Sequence, residues 1–145
     1  MTMVVVPDAS VILKWVLPHE EEPDWMAARL LLKGFIEGDH ELVVPSLWFF
    51  EVGNTLSRRF EFGIADSMLT WLLQLHLPEL EARAGWGPNA VSLASGRGVT
   101  FYDASYYAVA AQRGGVLVTA DRRFMEKPGD DSVVVALDRF QEVIS

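Results

Sequence analysis

Apolar residues along this chain fall into short β-branched runs separated by longer stretches of helical spacing. Val4–Val6, Leu42–Val44, Val116–Val118 and Val133–Val135 are unbroken runs of the kind that form strands buried on both faces. Asp8 caps a helix reaching about Leu17, which Pro18 closes, and a second helix spans Asp24 to Gly38. Ser46 caps a helix to about Phe60, and Asp66 caps another to about Leu77. Residues 79–100 are less regular, with a helix from Asn89 to Gly98. Asp103 opens a helix to Gln112, Gly114 and Gly115 stop it, and Asp138 starts a short final helix. Strands alternating with helices predict an α/β fold with a mostly parallel central sheet flanked by helices. In such sheets ligands gather beyond the carboxyl ends of the strands, where strand order reverses. The residues just past each strand are therefore the ones to read for chemistry.

A length of 145 residues, half of them hydrophobic, makes 1–145 a single domain with a full core. The absence of cysteine excludes disulfides, thiolate nucleophiles, Cys-ligated zinc and iron–sulfur clusters. Twelve Lys and Arg against twenty Asp and Glu give a net charge of −8. Phosphate affinity comes largely from basic side chains, so any nucleic-acid binding here needs a local basic patch or a metal ion. The start of the chain carries no charged leader. The most apolar stretch, Met68 to Leu77, is broken by Thr70, Gln74 and His76 and is shorter than the ~18 residues a membrane span needs. A soluble, cytoplasmic chain with no membrane partner is expected.

Four acids occupy positions of interest. Asp8 follows the first strand, with the Ser10 hydroxyl two residues on. Asp121 follows the Val116–Val118 strand, with the Thr119 hydroxyl two residues before it. Glu51 shares a helical stripe with Asn54, Thr55 and Arg58, one turn after bulky Leu47 and Trp48, and Asp103 opens its helix. Each has an ordinary reading: a helix cap, a solvated face, an acid favoured by the helix dipole. Together they are candidates to converge on one cleft. Carboxylates ~4 Å apart repel by ~4 kcal/mol at an effective dielectric of 20, so a cluster persists only if protonated or filled by a cation. Oxygen ligands without sulfur suit Mg²⁺ or Mn²⁺, and such a site serves phosphodiester hydrolysis. Ser10, Asn54 and Thr119 are the residue types that support such ligands.

These elements resemble the PIN-domain ribonucleases, in particular the VapC-type toxins of type II toxin–antitoxin systems. The matching segments are Val-Val-Val-Pro-Asp8-Ala-Ser10, Val-Pro-Ser-Leu-Trp-Phe-Phe-Glu51-Val-Gly-Asn54, Tyr102-Asp103-Ala-Ser-Tyr-Tyr-Ala-Val-Ala, and Leu-Val-Thr119-Ala-Asp121-Arg-Arg-Phe124. They stand in family order across nearly the whole chain. The resemblance implies a Mg²⁺-dependent endoribonuclease with Asp8 and Asp103 as metal-binding acids and Glu51 and Asp121 as the second and fourth acids. Ser10 and Thr119 match its supporting hydroxyls; Ala9 departs from the Thr or Ser common there. It further implies an RNA substrate, a homodimer, and a small antitoxin protein that inhibits the enzyme. Trp48–Phe50, Phe60 and Phe62 could make such contacts or belong to the core, and Arg58–Arg59 and Arg122–Arg123 could supply the basic patch or be plain surface charge.

A competing reading is a PIN-like binding module that has lost activity and works through partners. A haloacid-dehalogenase-like enzyme would need a second Asp where Ser10 stands, and a receiver domain would need paired acids at the first strand. Gly85-Trp-Gly87-Pro-Asn-Ala90 matches a dinucleotide fingerprint but follows no clear strand. His19, His40 and His76 lack metal-ligand spacing and are expected to be structural or surface residues.

Overall fold

The computed structural model describes residues 2–121 and 132–144, without the side chains of the last two. Arg122 and Arg123 lie outside the described residues. The strands are β1 (Val4–Pro7), β2 (Glu41–Leu42), β3 (Val44–Pro45), β4 (Glu79–Leu80), β5 (Val116–Thr119) and β6 (Val134–Ala136). The helices are α1 (Ala9–Lys14), α2 (Trp25–Ile36), α3 (Trp48–Arg59), α4 (Phe62–Gln74), α5 (Trp86–Arg97), α6 (Phe101–Gln112) and α7 (Phe140–Ile144).

Among the described residues every strand pairing is parallel, as expected of an alternating α/β chain. The main sheet runs β2-β1-β5-β6, and β3 and β4 form a second, two-stranded sheet. The chain leaves β1 toward β2 and later returns to its other side as β5. Strand order therefore reverses between β1 and β5, and their carboxyl ends face the crevice where ligands bind in such sheets. Helices α1 and α6 both pack on β1 and β5. Ala104, Ala108 and Ala110 are buried on α6, and their small side chains let it lie close to the sheet. Gly115 is required for the β1–β5 pairing: a Cβ there would fall 2.2 Å from the Val4 carbonyl oxygen.

Several boundaries differ from the sequence expectation. The Leu42–Val44 run is split, with Val43 between two short strands of different sheets. Ser46 does not cap α3; Leu47 stands at that position, while the Ser46 amide donates to the Leu80 carbonyl and ties the segment to β4. Asp66 lies inside α4, which begins at Phe62 after Glu61. Asp103 does not open α6 but sits in its first turn: the Thr100 hydroxyl accepts the Asp103 amide at 3.1 Å and is the cap. Helix α5 begins at Trp86, three residues before Asn89, with Pro88 tolerated in the first turn where its missing N–H costs nothing. Strand β4 was not foreseen, because two residues carry no periodicity.

Candidate active site

Asp8 stands one residue past β1. Its amide donates to the Val118 carbonyl of β5 at 3.1 Å, and its carboxylate accepts the Val11 amide at 3.3 Å as the cap of α1. It also accepts the Ser10 hydroxyl. Ser10 Oγ in turn accepts the Ala120 amide at 3.0 Å, so this one hydroxyl joins the ends of β1 and β5. Thr119, buried at the end of β5, bonds to Asp8 as well and accepts the Asp121 amide at 3.0 Å. The two hydroxyls marked in the sequence thus hold Asp8 in place and shape the turn that carries Asp121.

Burial pushes the Asp8 carboxyl up to about 6, against the lowering effect of bonds from Ser10, Thr119 and Val11; the charge of Asp103 raises it further. Glu51, reaching in from the first turn of α3, is pushed up to about 7, again chiefly by burial and then by the charges of Asp103 and Asp8. Three acids from three elements, Asp8, Glu51 and Asp103, therefore share one electrostatic field. Such desolvation beside like charge is costly, and it concentrates at functional sites.

Asn54 is not part of this group. It is exposed, its side chain makes no hydrogen bond to the acids, and its carbonyl accepts the Ser57 hydroxyl. Arg58 and Arg59 are exposed at the end of α3, with Arg59 over the Phe60 ring. Trp48 is core, its indole N–H donating to Glu79 at 2.9 Å, whereas Phe50 and Phe62 are exposed. Of the histidines, His19 and His76 are exposed, and His40 is buried and bonded to the Leu31 carbonyl.

Sequence reasoning missed Tyr106. Its hydroxyl donates to Glu51 Oε1 at 2.8 Å, and its own ionisation is pushed well up by burial and by the three acids. The available signal was its spacing, three residues after Asp103 on one helix, which places both on the same face.

Residues 5–130 match the PIN domain family. The chain belongs to the PIN domain family. Its curated relatives include Ribonuclease VapC3 of Pyrobaculum aerophilum, 34% identical over 131 residues that cover 86% of this chain and 95% of that protein. Exonuclease VapC9 of the same organism is 32% identical over 102 residues, covering 64% of this chain and 71% of that protein. Among solved structures, PAE2754 from Pyrobaculum aerophilum superposes with a TM-score of 0.66 at 25% identity, covering 98% of this chain and 89% of that one. VapC20 of Mycobacterium tuberculosis, a Sarcin-Ricin loop cleaving toxin, gives 0.62 at 14% identity over 86% of this chain and 99% of that one, which shows the shared fold. The resemblance to VapC-type PIN domains read from the four acidic segments is thus borne out.

Among the described residues of this PIN domain, no three or more His, Asp or Glu side chains are gathered closely enough to grip a metal ion as they stand. The donors are nonetheless all oxygens, as a hard divalent cation prefers. Burial first, and neighbouring like charge after it, raise the carboxyls of Asp8 and Glu51. Also among the described residues, no helix is long and apolar enough to cross a membrane.

Proposed function

We propose that this PIN domain is a metal-dependent endoribonuclease that hydrolyses RNA phosphodiester bonds, acting as the toxin of a type II toxin–antitoxin pair. The observation that carries the reading is the shared field of Asp8, Glu51 and Asp103 at the strand-order reversal. The name of the relative Ribonuclease VapC3 supports RNA as the substrate. Asp8 and Asp103 would hold Mg²⁺ or Mn²⁺, with Glu51 and Asp121 completing the acidic set. A bound cation would supply an activated water and neutralise charge developing on the phosphate. Ser10 and Thr119 keep Asp8 in one orientation. Tyr106 occupies Glu51 Oε1 and leaves Oε2 as the oxygen able to accept a proton from an attacking water. Arg58 and Arg59 offer phosphate contacts that offset the chain's net charge of −8. A small inhibitory antitoxin and a homodimer complete the proposal, and Phe50 and Phe62 are among the exposed apolar side chains available to them.

The test is cleavage of labelled total RNA with Mg²⁺ or Mn²⁺, with EDTA, and with Asp103→Asn. Discrete metal-dependent fragments from wild type, and a loss on the order of 10²–10³-fold or more in the variant, are expected for removal of a charge-handling group. Progressive end trimming would favour an exonuclease, as the name of the relative Exonuclease VapC9 suggests. No cleavage by inhibitor-free protein would favour the inactive binding module.

A further inference from the structure

We infer that Tyr106 is a positioning residue for the proposed nuclease site: its buried hydroxyl, donating to Oε1, fixes the Glu51 carboxylate. This rests on the reading of the site given above. Glu51 and Tyr106 are 55 residues apart, on α3 and α6, and meet at 2.8 Å. Tyr106 is fully buried in the hydrophobic core, so its ring cannot swing away and its hydroxyl must find a partner inside. Glu51 is the mobile member, a long side chain with rotor entropy to lose. On α3 its backbone carbonyl accepts the Thr55 hydroxyl at 3.2 Å, a bond that leaves the carboxylate unconstrained. The phenol is therefore what fixes the carboxylate. It does so from the helix that carries Asp103 one turn earlier, so α6 sets two of the three acids at once. A carboxylate fixed before substrate arrives has already met its ordering cost.

Tyr106→Phe removes one oxygen and keeps the ring. The probe is Mn²⁺ alone, titrated into the whole chain and followed by water-proton relaxation, with RNA cleavage measured in parallel. A 10–100-fold loss in Mn²⁺ affinity or in kcat is expected, the size typical of removing a ligand's supporting partner, with KM for RNA nearly unchanged. In the Glu51→Gln background the same substitution should add no further loss of Mn²⁺ affinity, because Tyr106 acts only through Glu51. Equal Mn²⁺ titrations and equal kcat for Tyr106→Phe and wild type would overturn the inference, as would an additive loss in the double variant. Should the phenylalanine variant fail to fold, ¹³Cζ-tyrosine NMR of wild type decides. The Tyr106 signal moves on Mg²⁺ addition if the phenol senses Glu51, and a still signal overturns the inference. Wild-type protein that neither binds Mn²⁺ nor cuts RNA would sink the functional reading itself, a result distinct from a silent Tyr106.

Discussion

Buried charge is handled in two opposite ways in this molecule. At the end of α1, Lys14 is buried beside an opposite charge: its ammonium lies 3.3 Å from Glu22 Oε1 and donates to the Pro23 carbonyl at 2.8 Å. At the start of the same helix, Asp8 is buried with hydroxyls, one amide and the field of Asp103. Helix α1 spans only six residues, so the contrast is local. Lys14 is arranged for the folded chain alone. Asp8 and Glu51 are arranged at the chain's expense, by burial beside like charge. Stability and function can thus be told apart by the sign of a substitution's effect.

The largest effect on stability belongs to the paired end. Lys14→Ala should cost about 3 kcal/mol, since it strands a partly buried carboxylate and a carbonyl and strips the packed stem. A fall in Tm of roughly 6–12 °C, read by thermal melts, is the corresponding shift for a chain of this size. A change within 2 °C would mean the pair is not structural.

His40 is an intermediate case, buried without a charge. Its Nε2 bonds the Leu31 carbonyl at 2.9 Å, its Nδ1 has no partner among the described residues, and its ring packs edge-on to Phe140 of α7. A Cβ on Gly34 would fall 2.4 Å from His40 Cε1. Gly34→Ala should therefore destabilise by about 1–3 kcal/mol through overpacking. Denaturant unfolding checks this, and a stabilised variant would show that the ring can move aside.

Asp8→Asn should do the reverse of Lys14→Ala. Asparagine caps a helix as well as aspartate, so α1 is kept while the buried charge is removed. Without metal at pH 8 the variant should match wild type or exceed it by about 1–2 kcal/mol, while cleavage is abolished. The pH dependence has a definite sign. Asp8 and Glu51 keep protons in the folded chain after unfolded carboxyls, at 3.8 and 4.5, have lost them. Metal-free stability from this source is present at low pH and is lost as pH rises through about 6 and about 7. His40, lowered by burial, acts oppositely, and its contribution is lost as pH falls below 6.5. Subtracting the melting curves of Asp8→Asn from those of wild type isolates the acid. A difference that does not change between pH 4 and pH 8 would contradict the raised carboxyl. Added Mg²⁺ should stabilise wild type at pH 8 more than Asp8→Asn, in proportion to the logarithm of its concentration over Kd.

The smallest effect is at the cap of α6. Thr100→Ala should cost about 1 kcal/mol in chemical denaturation. Cleavage should fall by more than that loss of folded protein explains, because the first turn freed by the change carries Asp103. Activity that tracks only the folded fraction would place Asp103 outside the reacting set.

The strands β1 and β5, the helix begun by Asp8, and the three acids that share one field, Asp8, Glu51 and Asp103, were legible in the amino-acid order. Buried parallel strands demand β-branched runs, and the residues after them are constrained by both a strand end and a helix start. Ser10 and Thr119 were legible for the same reason, each two residues from its acid. What escaped depended on partners far along the chain. Val44–Pro45 belongs to a separate sheet because Glu79–Leu80 pairs with it, and neither dipeptide has a period to detect. Ser46 looked like a cap but spends its amide on Leu80. Asn54 shares Glu51's stripe, yet one turn of α3 carries it out to solvent, because a helical stripe does not say how deep each of its members is buried. Glu51 stood out in sequence, but nothing there pointed to Tyr106 as its partner. Only the tertiary fold brings a phenol of α6 to a carboxylate of α3, and only burial makes that bond matter. Local order thus determined which side chains this protein has to work with. Packing decided which of them lose water and feel one another's charge, because desolvation and Coulomb fields depend on distance in space and not on separation along the chain.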